Sequence, residues 1–277
     1  MKNIESKKDK STQNYTLITG ATGGLGRAFC KELIGKNNLI LTGTSIEKLN
    51  KLKTELQAID NSKEIICIAC DLSSHQDRLN LLNKLTECKY TINLLINNAG
   101  FITEGSIEYA EMDTILKCIQ VNCEGTIHLT KTLIDTRDKN QEMRIICITS
   151  MASNYPMPYM AIYSATKSLL KNFMISLREE YRDKNVKVLI VEPGAIATSD
   201  DMKLAIEAQG LKGKMSSIRP DIIAKKAVKK SLKHKQRYIP GFFNKITLFV
   251  SNLTPQKIKT KTISKMWRKS QKKRNIK

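Results

Sequence analysis

The sequence predicts one α/β domain built on a doubly wound parallel sheet of about seven strands. Short apolar runs alternate repeatedly with segments of helical periodicity, which is typical of strand–helix–strand units. A glycine-rich turn joins the first apolar run to a helix. The 277 residues provide ample length for a full core. No apolar run approaches transmembrane length, and the polar start is unlike a signal peptide.

The apolar runs and the helical patterns place the elements in chain order. The predicted strands are 15–19, 38–43, 65–69, 92–96, 144–149, 186–191 and 236–239. The predicted helices that lie between or after them include 27–34, 47–59, 108–133, 219–228 and 242–253. Residues 199–218 are polar with few periodic signals, so no element is predicted there.

The glycine-rich turn runs from Gly20 to Gly26 and connects the first strand directly to the first helix. Glycines at such a junction allow a tight turn and the close approach of a pyrophosphate to the helix N-terminus. The context of strand, turn and helix makes this stretch a predicted dinucleotide-binding turn.

Three polar side chains converge after the fifth strand. Ser150 falls at the end of that strand, while Tyr163 and Lys167 are four residues apart on one face of the following helix. A phenol is a weak acid near neutrality, with a pKa of about 10, and a neighbouring ammonium lowers that value. A serine hydroxyl can hold a carbonyl oxygen while charge develops on it. The trio suits proton transfer to or from a carbinol oxygen.

These residues resemble the short-chain dehydrogenase/reductase family. The family carries a serine thirteen residues before the tyrosine of Tyr-x-x-x-Lys, as Ser150 precedes Tyr163 here. Its compact branch has the spacing of Thr19-Gly20-x-x-x-Gly24-x-Gly26, and its Asn-Asn-Ala-Gly element matches residues 97–100. The resemblance covers about residues 14–240 and implies a Rossmann-type, NAD(P)-dependent oxidoreductase that interconverts a carbonyl compound and an alcohol.

The resemblance also implies a role for each matching residue. The catalytic set would be Asn122, Ser150, Tyr163 and Lys167, with the backbone of Asn122 holding a water on a proton path from Lys167. The cofactor-binding set would be Gly20, Thr22, Gly23, Gly24, Leu25, Gly26, Thr44, Ser45, Asp71, Leu72, Asn98, Ala99, Gly100, Tyr163, Lys167, Pro193, Gly194, Ile196 and Thr198. From the residues alone, Asp71 could equally cap a turn, and a mid-helix Asn122 could be a tolerated polar residue.

The end of the second strand bears on the choice of nucleotide. A carboxylate there would bind the adenosine ribose and favour NAD, but the strand ends in Thr44 and Ser45, and Glu47 falls in the next helix. Two hydroxyls can hydrogen-bond a 2′-phosphate, with Lys48 supplying charge nearby. We predict NADP(H), with NAD(H) as the alternative. Thr44 and Ser45 could instead serve only as helix caps.

The substrate is predicted only by class. Apolar and aromatic residues near the trio favour a lipophilic ketone or aldehyde; they are Met151, Tyr155, Met157, Tyr159 and Phe242. An NADPH-dependent reductase is the main prediction. The alternatives are an alcohol dehydrogenase working in the oxidative direction with NAD and a dinucleotide-binding sensor or adaptor without turnover.

Charge divides the chain into a nearly neutral body and a basic end. Residues 1–201 hold 25 Lys and Arg against 24 Asp and Glu, whereas residues 202–277 hold 22 against 2. We predict a polar segment at 1–13, the catalytic domain at 14–241 and an amphipathic helix with a basic tail at 242–277. The apolar stripe of this helix fits either peripheral membrane contact or packing over the substrate pocket before a solvated tail. No nucleic-acid partner is expected, because no stacking platform or reader motif is present.

The cysteines and histidines complete the sequence-based expectations. Seven cysteines scattered among apolar residues indicate reduced thiols in a cytoplasmic protein, with the inner face of a membrane as an alternative location. The three histidines show no ligand spacing, so no metal site is expected. Relatives in the family commonly form dimers or tetramers through helices corresponding to residues 108–135 and 157–182, which implies a homo-oligomer.

Overall fold

Parallel strands form one central sheet in the computed structural model, which describes residues 14–198 and 200–274. The predicted polar segment 1–13 lies outside the described residues. Within them the sheet has seven parallel strands, which confirms the predicted doubly wound sheet, and their order is β3-β2-β1-β4-β5-β6-β7. The strands are β1 Asn14–Thr19, β2 Asn38–Gly43, β3 Ile65–Ala69, β4 Thr91–Asn97, β5 Met143–Ile148, β6 Val186–Val191 and β7 Arg237–Tyr238.

Helices follow or separate the strands. Those of the α/β body are α1 Gly24–Leu33, α2 Ile46–Gln57, α3 His75–Glu87, α4 Met112–Ile119, α5 Thr126–Thr136, α6 Ala161–Glu180 and α9 Pro220–Leu232. Those placed over one end of the body are α7 Asp200–Ala208, α8 Leu211–Ser216, α10 Phe242–Leu253 and α11 Gln256–Arg274. Short 3-10 turns lie at Ile107–Tyr109 and Met151–Asn154.

The core consists of two apolar layers, one on each face of the sheet. Successive strand side chains point to opposite faces, so Leu17 and Ile18 enter different layers. One layer packs against α1, α2 and α9, and the other against α3, α5 and α6. Both faces of the sheet are thereby covered, which is the reason its strands are continuous apolar runs rather than alternating ones.

The strand order reverses between β1 and β4, because β2 and β3 lie on one side of β1 and the later strands on the other. Ligands of open parallel sheets bind at such a switch point, beyond the carboxyl ends of the strands. The fold therefore predicts that ligand-binding residues follow β1, β2, β3, β4, β5 and β6.

Three segments differ from the predicted pattern. Residues 200–216 form α7 and α8, where no element was predicted. The long helix predicted at 108–133 starts at Met112 and contains a π-helical stretch, Gln120–Gly125, between α4 and α5. The lysine-rich tail, which one interpretation left solvated, is the helix α11, and its Trp267, Ser270 and Gln271 are buried. Packing of a minority of side chains onto the body orders this segment despite its polar composition.

Candidate active site

The carboxyl edge of the sheet encloses a groove of about 400 Å³ at the β1–β4 switch point. It is lined by residues that follow six of the seven strands. Of the expected site residues, those that line it are Gly20, Thr22, Gly23, Gly24, Leu25, Thr44, Asp71, Leu72, Asn98, Ala99, Gly100, Ser150, Tyr163, Lys167, Pro193, Gly194, Ile196 and Thr198. Gly26, Ser45 and Asn122 are not among its lining residues.

The glycine-rich turn brings the N-terminus of α1 to the groove. The preceding residue, Gly23, makes no side-chain cap hydrogen bond, and the first turn of α1 contains no acidic residue. The first amide groups of a helix are therefore available to an anion such as a pyrophosphate. Gly26 serves packing instead, since a Cβ there would lie 2.2 Å from the carbonyl oxygen of Gly20.

The two hydroxyls after β2 have separate environments. Thr44 is exposed and lines the groove. Ser45 is the N-cap of α2: its hydroxyl accepts from the Lys48 amide at 3.2 Å and donates to Glu47 at 2.7 Å. Ser45 therefore has the capping role that the sequence left open and does not line the groove, and its contact with the nucleotide stays a prediction. Thr44 remains as the hydroxyl facing the groove.

Asp71 and Leu72 line the groove after β3, but the carboxylate of Asp71 has local partners. It accepts from the amide of Ser73 at 2.9 Å and from its hydroxyl at 2.6 Å, and it lies 3.7 Å from Lys117. Burial raises the pKa of Asp71, but the bonds from Ser73 and the charge of Lys117 outweigh it and lower the pKa overall. The turn-capping alternative thus describes the carboxylate, while Leu72 supplies an apolar wall.

The Asn-Asn-Ala-Gly element ties β4 to β1. The Asn98 amide group donates to the carbonyl oxygens of Thr19 and Gly20, each at 3.0 Å. In return the Thr19 hydroxyl accepts from the backbone amides of Asn98 and Ala99, again at 3.0 Å. The side chain of Asn98 therefore bonds to the end of β1 and to the turn that follows it. Any contact that it makes with a ligand is additional to this structural role. The element holds the floor of the groove in place.

Asn122 lies in the π-helical stretch and its side chain is fully buried. Its Oδ1 accepts from the Phe101 amide at 2.8 Å, and its Nδ2 donates to the Phe101 carbonyl at 2.9 Å and to the Thr166 hydroxyl at 3.0 Å. The side chain therefore clamps the loop after β4 to α6. A π-turn shifts backbone hydrogen-bond partners by one residue and is often found at functional sites.

Gly100 separates Asn122 from the active-site lysine. A Cβ on Gly100 would lie 3.3 Å from Lys167 Nζ and 3.5 Å from Asn122 Oδ1. Both side chains therefore come within 3.5 Å of the point where a side chain at position 100 would begin, and the glycine leaves this space free. Asn122 is brought next to the groove without lining it.

Ser150, Tyr163 and Lys167 meet at the inner end of the groove. Ser150 follows β5 and accepts from the Ala152 amide at 3.1 Å, while Tyr163 and Lys167 lie in the first two turns of α6. Lys167 is buried, its Nζ donates to the Ile148 carbonyl at 3.1 Å, and it lies 5.9 Å from the centroid of the Tyr163 ring. The arrangement brings a hydroxyl, a phenol and an amine together around one small volume.

Burial dominates the acidity of this trio. Desolvation raises the pKa of Tyr163, and the hydrogen bond with Ser150 lowers it only in part. Desolvation also lowers the pKa of Lys167 below its ordinary value. Desolvation is thus the largest influence on the pKa of Tyr163, and the hydrogen bond with Ser150 opposes it; a lowering of that pKa by Lys167 stays a prediction.

The loop after β6 is held by a buried carboxylate that the sequence interpretation missed. Glu192 is fully buried; it accepts from Asn154 Nδ2 at 2.7 Å, lies 3.5 Å from Lys171 Nζ and is paired with Arg237. Burial raises the pKa of Glu192, but the bonds from Arg237 and Asn154 and the charge of Lys171 together lower it. A charged residue directly before Pro193-Gly194 at a strand end was the available signal for this network.

A second cavity of about 500 Å³ adjoins the groove, and Ser150 and Tyr163 line both. Its wall is largely apolar and includes Met151, Tyr155, Met157, Met160, Phe243 and Trp267. Two expected residues do not line it. Tyr159 accepts from Arg268 Nε at 2.9 Å outside it, and Phe242 is 79 % exposed, so the neighbouring Phe243 takes the inner position.

The C-terminal helices close this second cavity. Residues from both α10 and α11 line it. Arg274, in the last turn of α11, forms an ion pair with Glu104, which also lines the cavity. Asn244 of α10 donates to the carbonyl oxygens of Pro240 at 2.7 Å and Ser216 at 3.0 Å, which connects α10 to α8. The basic end of the chain is thus part of the pocket wall.

A parallel doubly wound sheet with a glycine-rich turn at its switch point defines the class of dinucleotide-binding α/β folds. Within that class, a model of the short chain dehydrogenase family matches residues 14–234. Because this match covers most of the chain, the protein belongs to the short-chain dehydrogenase family.

Individual relatives agree with this assignment. The chain is 29% identical to the mouse dehydrogenase/reductase SDR family member 7B over 70% of the chain and 61% of that protein, so the match spans about three fifths of the relative. A solved 7β-hydroxysteroid dehydrogenase has a TM-score of 0.81 at 20% identity, with 90% of this chain and 96% of that one covered. A short-chain dehydrogenase from Sphingobium yanoikuyae, solved with NADPH, has a TM-score of 0.73 at 21% identity, covering 87% and 94%. The two structures establish the likeness of fold.

Proposed function

We propose that the protein is an NADP(H)-dependent oxidoreductase that reduces a lipophilic ketone or aldehyde to an alcohol. The single observation that carries the proposal is the position of Ser150 and Tyr163, which line both the dinucleotide groove and the apolar cavity. A carbonyl group at this junction would contact the two hydroxyls while the rest of the substrate occupied the cavity. Membership in the short-chain dehydrogenase family supports the reaction class.

The groove fits a nicotinamide dinucleotide by its own chemistry. The uncapped N-terminus of α1 offers amide groups for a pyrophosphate, and Gly24 and Thr198 approach so closely that a Cβ on Gly24 would lie 2.7 Å from the Thr198 side chain. A backbone without side chains at this point leaves room for phosphate oxygens. Thr44 is the hydroxyl positioned for a 2′-phosphate, and no carboxylate stands in its place to favour NAD. The NADPH complex of the Sphingobium yanoikuyae relative supports the same choice.

In the proposed mechanism the bound cofactor supplies the hydride that the carbonyl carbon accepts. Ser150 donates a hydrogen bond to the carbonyl oxygen and steadies the negative charge that develops there. Tyr163 delivers its phenolic proton to that oxygen, and its raised pKa keeps the proton in place at neutral pH. Lys167 would bind the nicotinamide ribose and would stabilise the phenolate that Tyr163 becomes, and a water held by the backbone of Asn122 would bring the replacement proton to Lys167.

The apolar cavity supports a bulky lipophilic substrate. Its volume of about 500 Å³ falls in the range of pockets for drug-sized ligands. The structural likeness to a 7β-hydroxysteroid dehydrogenase adds support for a substrate of this size. The largely apolar wall also holds polar side chains, among them Glu104, Asn244 and Lys259, which suits a hydrocarbon skeleton that carries some polar groups.

A homo-oligomer is also proposed, through the outer faces of α4 and α6. Met112 and Leu116 of α4 and Leu169 of α6 are exposed by 63 %, 46 % and 47 %. Burying apolar side chains of this kind against a second copy would be favourable. Analytical ultracentrifugation of the wild type and of Leu116→Glu tests the proposal: a dimer or tetramer that dissociates in the variant is expected, and a monomeric wild type contradicts it.

The experiment for the proposed function compares NADPH with NADH on a series of ketones of increasing chain length. We expect faster turnover with NADPH, and kcat/KM should rise by roughly tenfold for every two or three methylene groups that enter the cavity. A substrate series whose kcat/KM is independent of length would contradict the role of the apolar cavity. Preference for NADH would contradict the assignment of Thr44, and nucleotide binding without turnover would favour the sensor alternative.

A further inference from the structure

The outer face of α10 is a continuous apolar stripe. Phe242, Ile246, Phe249 and Leu253 follow helical spacing, and their side chains are 79 %, 44 %, 67 % and 72 % exposed. Leu248, near the opposite side of the same helix, is buried. The helix therefore uses one face for packing and presents a second apolar face to the surroundings, whereas a surface helix of a monomer usually has a polar outer face.

The elements next to α10 also carry exposed apolar side chains. Leu211 and Met215 of α8 are 74 % and 48 % exposed, and the Ser216 hydroxyl of the same helix donates to Asn244 Oδ1 of α10 at 2.8 Å. Ile258, in the first turn of α11 and five residues beyond Leu253, is 57 % exposed. Three helices that are linked in sequence or by a hydrogen bond thus each expose large apolar side chains, and exposed apolar surface of this extent is typical of an interaction site.

The helix that follows the stripe has a cationic outer face. Trp267, Ser270 and Gln271 define the buried face of α11. The exposed basic residues recur on the other side with helical spacing; they are Lys257, Lys261, Lys265, Arg268, Lys269, Lys272 and Lys273. In the sequence from 242 to 277 there are 11 Lys and Arg residues and no Asp or Glu. Positive charge therefore borders the apolar stripe without nearby compensation on the same segment.

We infer that these outer faces of α8, α10 and α11 form a docking surface for an anionic lipid membrane. Apolar side chains of an interfacial helix enter the boundary between headgroups and acyl chains, while Lys and Arg attract anionic headgroups. A second copy of the chain fits this surface poorly, because it would oppose two strongly positive faces. A nucleic acid would match the charge but would leave the phenylalanines of α10 in water.

The docking surface belongs to helices that lie on the body of the protein. In residues 14–198 and 200–274, none of the helices combines the length and the apolar character needed to span a bilayer. The cationic and apolar faces instead belong to helices that pack on the body through their other sides. This is the geometry of a peripheral contact, in which affinity depends on both lipid charge and buried apolar area.

The same surface borders the proposed substrate cavity. Val250 lines the cavity and is also 54 % exposed, while Phe243 and Thr247 line it from the inner side of α10. With α10 seated in the headgroup region, the cavity rim at Val250 meets the lipid. This part of the inference rests on the proposed function: the ketone or aldehyde would be dissolved in the membrane and would enter the cavity without crossing water.

Vesicle flotation of the purified full chain tests the docking surface. The probes are phosphatidylcholine vesicles with and without phosphatidylglycerol, and no substrate is added. The apolar variant is Phe242→Ser with Phe249→Ser, and its control is Leu232→Ser on α9, which is 59 % exposed. The charge variant is Lys265→Gln, Lys269→Gln and Lys272→Gln, and its control changes the exposed Lys225, Lys226 and Lys229 of α9 to Gln, so that both have the same net charge.

We expect the wild type to bind vesicles only when phosphatidylglycerol is present. The apolar and the charge variants should each bind about tenfold more weakly or worse, while both controls bind like the wild type. Equal loss of vesicle binding in the charge variant and its control would mean that net charge alone attracts the protein, and it would overturn the proposed docking surface. A wild type that does not bind vesicles would overturn it as well. NADPH binding by each variant verifies its fold. A protein that turns over ketones without binding vesicles refutes only the docking surface, and one that floats without binding NADPH refutes only the proposed function.

Discussion

Tyr163 has its acidity set by two opposing effects that act within a few ångströms. Burial removes water from the phenol and raises its pKa, and the hydrogen bond with Ser150 lowers it in part. The protonated phenol is the form that a reductase needs, because it must give a proton to the carbonyl oxygen. The burial that weakens the phenol as an acid also keeps it protonated and shields the reaction from water.

The raised pKa of Tyr163 determines how the rate of reduction should depend on pH. The protonated form persists below the raised pKa and is lost as the pH rises through it, so kcat/KM should stay level through neutrality and fall only above the ordinary phenol value of about 10. Ser150→Ala removes the bond that lowers the pKa, so the alkaline limb should move to higher pH while the plateau falls by about 10² or more. The pH profile of both proteins is the measurement. An alkaline limb that moves to lower pH in Ser150→Ala would contradict the role assigned to Ser150. The control is Ser168→Ala on α6.

Glu192 illustrates a residue whose importance depends on burial. Its pKa is lowered, so the stability it provides is present above the ordinary carboxyl value and is lost as pH falls through the lowered one. At neutral pH, Glu192→Gln should reduce the free energy of unfolding by about 3 kcal/mol, since Lys171 and Arg237 lose their carboxylate partner. Urea unfolding checks this. Glu179→Gln, in an exposed pair with Arg182, should change stability by less than about 1 kcal/mol, and equal effects would contradict the argument.

Single residues show where sequence reasoning about the site stops. The spacing of Ser150, Tyr163 and Lys167 was sufficient to bring them together, because a strand end and one helix face determine it. The hydroxyl of Ser45 and the amide of Asn98 also bond to α2 and to β1, which the sequence did not predict, and their contacts with the cofactor stay predictions. Which of several partners a short polar side chain selects depends on distances that a single sequence does not contain.

The β1–α1 turn is an element whose glycines have unequal roles. A Cβ at position 26 would overlap the Gly20 carbonyl oxygen at 2.2 Å, whereas a Cβ at position 23 would find its nearest contact at 3.4 Å. Gly26→Ala should therefore lower the free energy of unfolding by about 2 kcal/mol or more. Gly23→Ala, whose φ of −73° any residue adopts, should change it by about 0.5 kcal/mol at most. Thermal unfolding of both variants is the measurement. Equal destabilisation by the two substitutions would contradict the packing role of Gly26.

The helix α11 contributes to one cavity and not to the other. Its residues Ile263, Met266 and Trp267 line the second cavity, and none of its residues lines the groove. Deletion of residues 256–277 should raise the KM for a lipophilic ketone by about tenfold or more through loss of apolar contacts, while the Kd for NADPH stays unchanged. Arg274→Ala, which only releases the pair with Glu104, should give a smaller change in the same direction. An unchanged KM in the deletion variant would contradict the role of α11 as a wall of the second cavity.

Elements differ in how well the sequence predicts them. The seven strands were predicted because buried parallel strands are continuous apolar runs, and the doubly wound arrangement was predicted from strand–helix alternation. The helices α7 and α8 and the tail helix α11 were not predicted. They are polar or lysine-rich, and only a few side chains, such as Ile206 and Trp267, pack inward. Such sparse tertiary contacts leave little periodic signal in the sequence.

The whole molecule keeps its thiols away from solvent. All seven cysteines are free; Cys67 and Cys88 are partly exposed and the other five are buried. Burial raises the pKa of Cys30, Cys70 and Cys147 to about 12, so little of the reactive thiolate forms at neutral pH. We expect a colorimetric thiol reagent to modify at most the two exposed cysteines of the native protein and all seven after unfolding. Rapid modification of more than two in the native protein contradicts this burial.

At the scale of the whole molecule, the groove and the second cavity share part of their lining. The sheet edge forms the dinucleotide groove, and the C-terminal helices form the apolar cavity. Ser150 and Tyr163 lie between them. This division explains why the nearly neutral body carries the family motifs while the basic end carries features that differ from them. Under the proposed function, the C-terminal helices select the substrate, and the residues of the body carry out hydride and proton transfer.

The most direct test of the central claim is a comparison of wild type and Tyr163→Phe. NADPH binding is measured first, by titration, and NADPH oxidation with a long-chain ketone second. The account predicts nearly equal NADPH binding and a kcat lower by about 10² to 10⁴ in the variant, because only the phenolic proton is removed. Retained turnover in Tyr163→Phe, or a wild type that binds no nicotinamide nucleotide, would contradict it.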